Sequence, residues 1–170
     1  MAPSRTLLLC MLMVVSGCGG TPEGDQALPS GPLLVTFLGD LRQRQAANAN
    51  RAQIVVAKSM STQFLPRGVA SVIVLSGDSA GKAPDRTLAV EAKLDWALDD
   101  LLVLPDGNGE LARRYEVHDL PSTILLDETG RVIRRWVGFA PAQDLALPLE
   151  DAYPRPRRAF GRQSSAPASR

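Results

Sequence analysis

Apolar residues arrive along this chain in short blocks separated by glycine, proline and polar residues, and the blocks follow two different periods. Leu33 to Leu38 (LLVTFL) and Val69 to Leu75 (VASVIVL) are brief apolar runs with β-branched content, the pattern of buried strands. Between them, Leu41 to Phe64 has few breakers and many alanines. Ala49, Ala52, Val56, Met60 and Phe64 recur there three or four apart, which predicts a long helix with a buried stripe. Asp40 can cap that helix, and Gln43, three residues on, approximates a capping box. If the helix crosses over between the two strands, they lie parallel.

Beyond the second strand, Gly77 to Pro84 reads as a loop. A second helix then starts at Asp85 or Thr87 and reaches about Trp96, with Leu88, Ala92 and Trp96 near one face. Leu101 to Leu104 is a short third strand whose place in the sheet the pattern leaves open, and Pro105-Asp106-Gly107-Asn108-Gly109 is a dense turn signal. Glu110 to Tyr115 makes a short helix that delivers the chain to Leu120-Pro121. Thr123 to Asp127 and Val132 to Val137 follow as two strands joined at Glu128-Thr129-Gly130, where a glycine supplies positive φ. Pro141 suits the first turn of a last helix, whose length Pro148 limits.

Composition bounds what such a chain can do. With 170 residues, 45% of them hydrophobic, it holds one domain with a real core once the ends are set aside. A formal net charge of +1 and 5% aromatic residues argue against a nucleic-acid partner, which needs a basic face or stacking platforms. Cysteine occurs only at Cys10 and Cys18, both in the N-terminal segment, so the globular part carries no thiol.

That segment has its own logic. Arg5 opens a positive region, and Leu7 to Val15 is an apolar run long enough for a signal-peptide core and too short to span a bilayer. Val15-Ser16-Gly17-Cys18 then resembles the bacterial lipobox, which implies lipid attachment at Cys18 and removal of residues 1–17. Acyl chains contribute about 0.8 kcal/mol per buried methylene, so more than one holds a soluble domain on a membrane surface. Residues 18–32 are rich in Gly, Pro and small polar residues and read as a flexible tether, and residues 151–170 read as a disordered tail. The domain itself is placed at 33–150.

The run Tyr115, Val117, Pro121, Ser122, Thr123, Leu125, Leu126, Asp127, Gly130, Val132 and Gly138 resembles the closing part of thioredoxin-like proteins of the envelope-anchored TlpA and ResA type. The resemblance covers roughly Leu33 to Leu149. It implies an α/β thioredoxin-like fold, with a central mixed β-sheet flanked by helices and a cis-proline loop at Pro121. In those proteins the first strand runs into a WCxxC motif at the helix start. Laying Val35-Thr36-Phe37 on that strand end puts Arg42-Gln43-Arg44-Gln45 on the CxxC positions. Thiol–disulfide exchange needs an attacking thiolate and a resolving thiol, and neither Arg nor Gln can serve as either.

Candidate site residues follow from the same comparison. The family offers the backbone of the residue before the cis-proline to an extended peptide, a form of strand addition that needs no cysteine. Leu120 holds that position beside Pro121, and Arg42, Arg44 and Gln45 are expected on the opposite rim with His118 nearby. Two arginines at a helix N-terminus suit an anion or carboxylate, although both side chains can equally extend into water. His118, the lone histidine, adjoins Asp119, but no motif places a Ser or Cys nucleophile with it, so no catalytic residue is assigned. One His without mature thiols leaves only scattered carboxylates for a metal, and no cofactor is implied. The expected function is therefore a redox-inactive, lipid-anchored domain of the bacterial cell envelope, facing away from the cytoplasm, that binds another envelope protein or an extended peptide segment. The alternative is a thiol–disulfide oxidoreductase of the TlpA/ResA class, or an accessory to one.

Overall fold

The computed structural model describes residues 27–39, 41, 44–77 and 84–155, leaving aside the side chains of 44–47. The two long apolar runs become the centre of a five-stranded sheet. β1 (Leu33–Leu38) pairs in parallel with β2 (Ala70–Ser76), with Leu33 beside Ala70 and Leu38 beside Leu75. Helix α1 (Arg44–Phe64) makes the crossover, and the chain leaves it through a 3-10 turn at Leu65–Arg67. α2 (Arg86–Asp95) then leads to β3 (Leu102–Asp106), which joins the free side of β2 in parallel. After the short α3 (Glu110–Arg114), β4 (Ser122–Leu126) lies antiparallel to β1, and β5 (Val132–Val137) antiparallel to β4. Helix α4 (Ala142–Ala152) closes the domain, and the strand order is β3-β2-β1-β4-β5.

The faces of this sheet are filled unequally, because successive side chains of a strand point to opposite sides. Leu34 and Leu38 of β1 point toward α1, α2 and α4. There Ile54, Ala57, Ile73, Leu75, Ala89, Ala92 and Val103 form one packed group, and Val56, Met60, Phe64, Leu125, Leu145 and Leu149 another. Leu33, Val35 and Phe37 point the other way and meet Val72, Val74, Ile124, Leu126, Leu111 of α3 and Tyr115 just past it. The predicted α1 stripe holds at Val56, Met60 and Phe64, whereas Ala49 and Ala52 are only partly buried.

Polar side chains that the apolar pattern passed over lie deepest in α1. Gln53 is fully buried, and its Oε1 accepts the Ala140 N–H at 2.9 Å while its Nε2 donates to Thr123 Oγ1 at 3.3 Å. Thr123 in turn faces its cross-strand neighbour Thr36, with the two hydroxyl oxygens 3.5 Å apart. One side chain thus ties α1 to β4 and to the connection that leads into α4.

Three local expectations are corrected. Pro105 and Asp106, assigned to a turn, are the last residues of β3; Pro105 is tolerated because β3 is an edge strand and need not donate on both sides. Pro148 does not limit α4, which runs through it to Ala152, two residues past the boundary placed at 150. Leu145 and Leu149, both fully buried, hold the helix on either side of the proline. Tyr153 also packs onto the core: Arg67, stacked 4.3 Å over the Phe64 ring, donates from Nη1 to the Tyr153 carbonyl at 3.3 Å, and its Nη2 lies 3.7 Å from the Glu150 carboxylate. Elsewhere the agreement is close. Asp85 caps α2 by accepting the Leu88 N–H at 2.8 Å, and Gly130 takes φ 80° in the hairpin turn. The Asp40 and Gln43 cap lies outside the described residues.

Replacing Gln53 with Leu keeps the volume but leaves the Ala140 N–H without its acceptor, so we expect a loss of about 1–3 kcal/mol in urea unfolding. The exposed Val55→Ser serves as control, and an unchanged midpoint for Gln53→Leu would show that the bridge adds nothing. A second expectation concerns the hairpin turn. Asp127 Oδ1 accepts from Thr129 Oγ1 at 2.7 Å, Thr129 N at 2.8 Å and Arg131 N at 3.0 Å. The Thr129 hydroxyl first, then the Arg131 N–H, hold this carboxyl below its ordinary 3.8. Its contribution to stability is therefore complete above the unfolded value and is lost as pH falls through the lowered folded one. NMR titration should find Asp127 below 3.8, and Thr129→Ala should move it upward.

Candidate peptide-binding loop at the end of β1

The site expected from the sequence gathers where β1 ends. Gly39 follows Leu38 and is buried, and a β-carbon at Gly39 would stand 3.6 Å from both Asn50 Nδ2 and Leu120 Cδ1. α1 and the loop before Pro121 thus both reach the strand end at Gly39, at distances where a β-carbon would make ordinary van der Waals contact. Asn50 itself is buried to 1% exposure, and neither atom of its amide has a hydrogen-bond partner among the described residues.

The loop is held from below by α3. Asp106, at the tip of β3 and 3% exposed, accepts the Leu111 N–H on Oδ1 at 3.0 Å and the Ala112 N–H on Oδ2 at 2.9 Å. The carboxylate so satisfies two of the orphan donors at a helix start, where negative charge is favoured. Tyr115, just past α3, sets its ring 6.4 Å from that of Phe37. Glu116 then takes φ 51°, its carbonyl accepts from Arg135 Nη1 at 2.5 Å, and the chain turns toward β4.

The Leu120-Pro121 bond is cis, as the family resemblance implied. Ser122 Oγ donates to the Asp119 carbonyl at 2.6 Å, and the Pro121 carbonyl accepts the Gly138 N–H at 2.9 Å, so the loop is pinned to its own start and to the end of β5. Leu120 is half-buried against the Phe37 group, Pro121 is buried, and His118 and Asp119 are exposed. Leu120, Pro121 and His118 therefore share one loop beside the end of β1. Arg44 and Gln45 open α1, but their side chains, like Arg42 and Cys18 altogether, lie outside the described ones. Among the described residues no group of His, Cys, Asp and Glu is placed to hold a metal ion. Sequence reasoning missed Asp106 and Asn50. Asp106 carried a usable signal, an acidic residue shortly before a short helix, whereas a polar residue inside an alanine-rich helix carried none.

A mixed sheet of this order, with the cis-proline loop abutting the end of the central strand, is the α/β thioredoxin-like fold. No protein-family model matches the sequence, and no curated protein matches it either. Among solved structures the chain is similar to the pneumococcal exposed lipoprotein thioredoxin of Streptococcus pneumoniae strain TIGR4, with TM-score 0.58 and 18% identity over 72% of this chain and 85% of that one. It is also similar to a Chlorobium tepidum protein described as thiol:disulfide interchange protein DsbE, with TM-score 0.54 and 20% identity over 72% and 79% of the two chains. StoA from Bacillus subtilis gives TM-score 0.51 and 18% identity over 69% and 81%. At such identities the likeness establishes the fold.

The role of Asp106 in holding the loop can be measured. Asp106→Ala removes both acceptors from the α3 start, and loss of such a cap costs about 0.5–2 kcal/mol. Amide exchange at Leu111 and Ala112 should accelerate first, with the Pro121 loop following. Unchanged exchange at both positions would mean that α3 is held by its packing alone.

Proposed function

We propose that this chain is a redox-inactive thioredoxin-like domain, tethered by lipid at Cys18 to a membrane of the bacterial envelope, which binds an extended segment of another envelope protein along the Leu120-Pro121 loop. One observation carries the reading: the cis-proline loop is kept and closely buttressed while the sequence has no cysteine after Cys18. Thiol–disulfide exchange requires a thiolate nucleophile and a second thiol to resolve the mixed disulfide. Peptide binding by strand addition requires only a presented backbone and a neighbouring apolar surface. Half-buried Leu120 offers both.

The N-terminal sequence supports the location. Its apolar run is of signal length, and its lipobox-like Val15-Ser16-Gly17-Cys18 precedes a tether. The Streptococcus pneumoniae protein similar in fold is described as an exposed lipoprotein. Fold alone does not carry activity, and several proteins of this shape are described as thiol–disulfide exchange proteins. The lack of a thiol in the domain is what separates this chain from that chemistry.

Three measurements test the proposal together. Purified protein should show no insulin reduction above background, and real turnover would overturn the redox-inactive reading. Cys18→Ala should release the protein from the membrane fraction. Crosslinked capture from gently solubilised membranes should recover a partner with the wild-type protein and lose it with Arg42→Glu, Arg44→Glu, Leu120→Pro, once circular dichroism confirms that this variant folds. Recovery of the same partner by both proteins would move the binding surface away from the loop.

A further inference from the structure

Among the described residues the sheet ends in two unlike edges. β3, at one end, is short, carries Pro105 without an N–H, and follows the exposed acids Asp99 and Asp100. Proline and charge of this kind keep an edge from pairing with other chains. β5, at the other end, runs from Val132 to Val137 without a proline. Ile133 is 49% exposed and Val137 62% exposed along it. An edge of this length is a template for strand addition, and the charge it carries blunts pairing with any strand that does not complement it.

The selecting element is positive charge on both sides of the strand. Arg134 is exposed on the side of α1 and α4, its guanidinium 5.4 Å from the Trp136 ring centroid. Its neighbour Arg135 points to the α3 side, where it donates to the Glu116 carbonyl. The nearby carboxylate of Asp127 is committed to the turn through Thr129 and Arg131. Backbone groups remain available at the same place. The Gly138 N–H points back to Pro121, so by antiparallel alternation those of Trp136 and Arg134 also face β4, while those of Arg135 and Val137 face outward.

These features choose among occupants. A second copy of the chain, paired antiparallel about Arg134 or about Arg135, would set that arginine directly against its own twin, because opposed side chains share one face of the sheet, and like charges directly opposite are destabilising. An anionic membrane would attract the guanidinium groups but does not offer the alternating donors and acceptors that an outward strand edge takes. We propose that the free edge of β5 receives an extended acidic segment of another polypeptide as an added strand, with two successive Asp or Glu residues opposite Arg134 and Arg135 and apolar residues opposite Ile133 and Val137. This surface adjoins the Leu120-Pro121 loop through Arg135 and Gly138, so the Arg134→Glu variant, which leaves both contacts in place, distinguishes the two.

The test uses the full chain in mild detergent and two synthetic peptides. One carries Val-Thr-Glu-Glu-Val at its centre, the other Val-Thr-Lys-Lys-Val. Fluorescence anisotropy should show the Glu-Glu peptide binding at least about tenfold tighter than the Lys-Lys peptide, with an advantage that shrinks as salt rises. Hydrogen exchange should slow at Arg135 and Val137 on binding. Arg134→Glu alone should weaken the Glu-Glu peptide, and Arg134→Glu with Arg135→Glu should reverse the preference, a gain of Lys-Lys binding that an unfolded variant cannot produce. Equal affinity for the two peptides overturns the proposal, as does binding that leaves Arg135 and Val137 unprotected. Self-association that protects those same amides would give the edge to a second copy, and protection-free binding to anionic vesicles alone would give the arginines to a membrane.

Discussion

The carboxamide of Gln53 is the constraint on which the rest of this domain depends. Burying an amide without partners costs more than a made hydrogen bond returns, so the side chain is tolerated only if both its ends are answered. They are answered by Thr123 of β4 and by the Ala140 N–H beyond β5. Those two groups belong to the antiparallel half of the sheet, whereas α1 belongs to the parallel half. The bridge therefore sets how the two halves meet. Thr36, facing Thr123 from β1, extends the polar line across the strand pair. Apolar packing alone would let the helix slide along its stripe, but a two-ended hydrogen bond fixes its position.

From that setting the loop follows. With α1 fixed over β1 and β4, the end of β1 meets the segment before Pro121 at Gly39, with Asn50 of α1 and Leu120 of the loop beside it. Asp106 adds a second support by anchoring α3, the element that carries the chain into the loop. The loop at Leu120-Pro121 is therefore supported from α1, from α3 and from the end of β5. At the far side of β4, β5 forms the edge of the sheet among the described residues, with Arg134 and Arg135 along it.

How far this could be read beforehand depended on whether the deciding force was local. β1 and β5 were legible to the residue, because an apolar run bounded by Gly, Pro or charge specifies a strand through its own side chains. Asp85 was legible as a cap because its partner, Leu88, lies within one turn. Pro105 and Pro148 were misread for one reason. Each was taken as a breaker on local grounds, and each is accommodated by something distant, an open sheet edge in one case and the burial of Leu145 and Leu149 in the other. Gln53 and Asn50 were invisible in an amphipathic reading that counts polar residues toward water.

The amino-acid sequence by itself determined the order of elements and the absence of a thiol after Cys18, which holds however the chain folds. It also carried the cationic pair on β5 and the glycine at the end of β1. Tertiary structure decided the rest: which buried amide finds partners, the cis form of the Leu120-Pro121 bond, the helix that Asp106 caps, and which strands lie at the sheet edges among the described residues. Each of these depends on groups far apart in the chain. Their pairing is settled only when hydrophobic burial has brought them together and placed groups such as the Gln53 amide within reach of a partner.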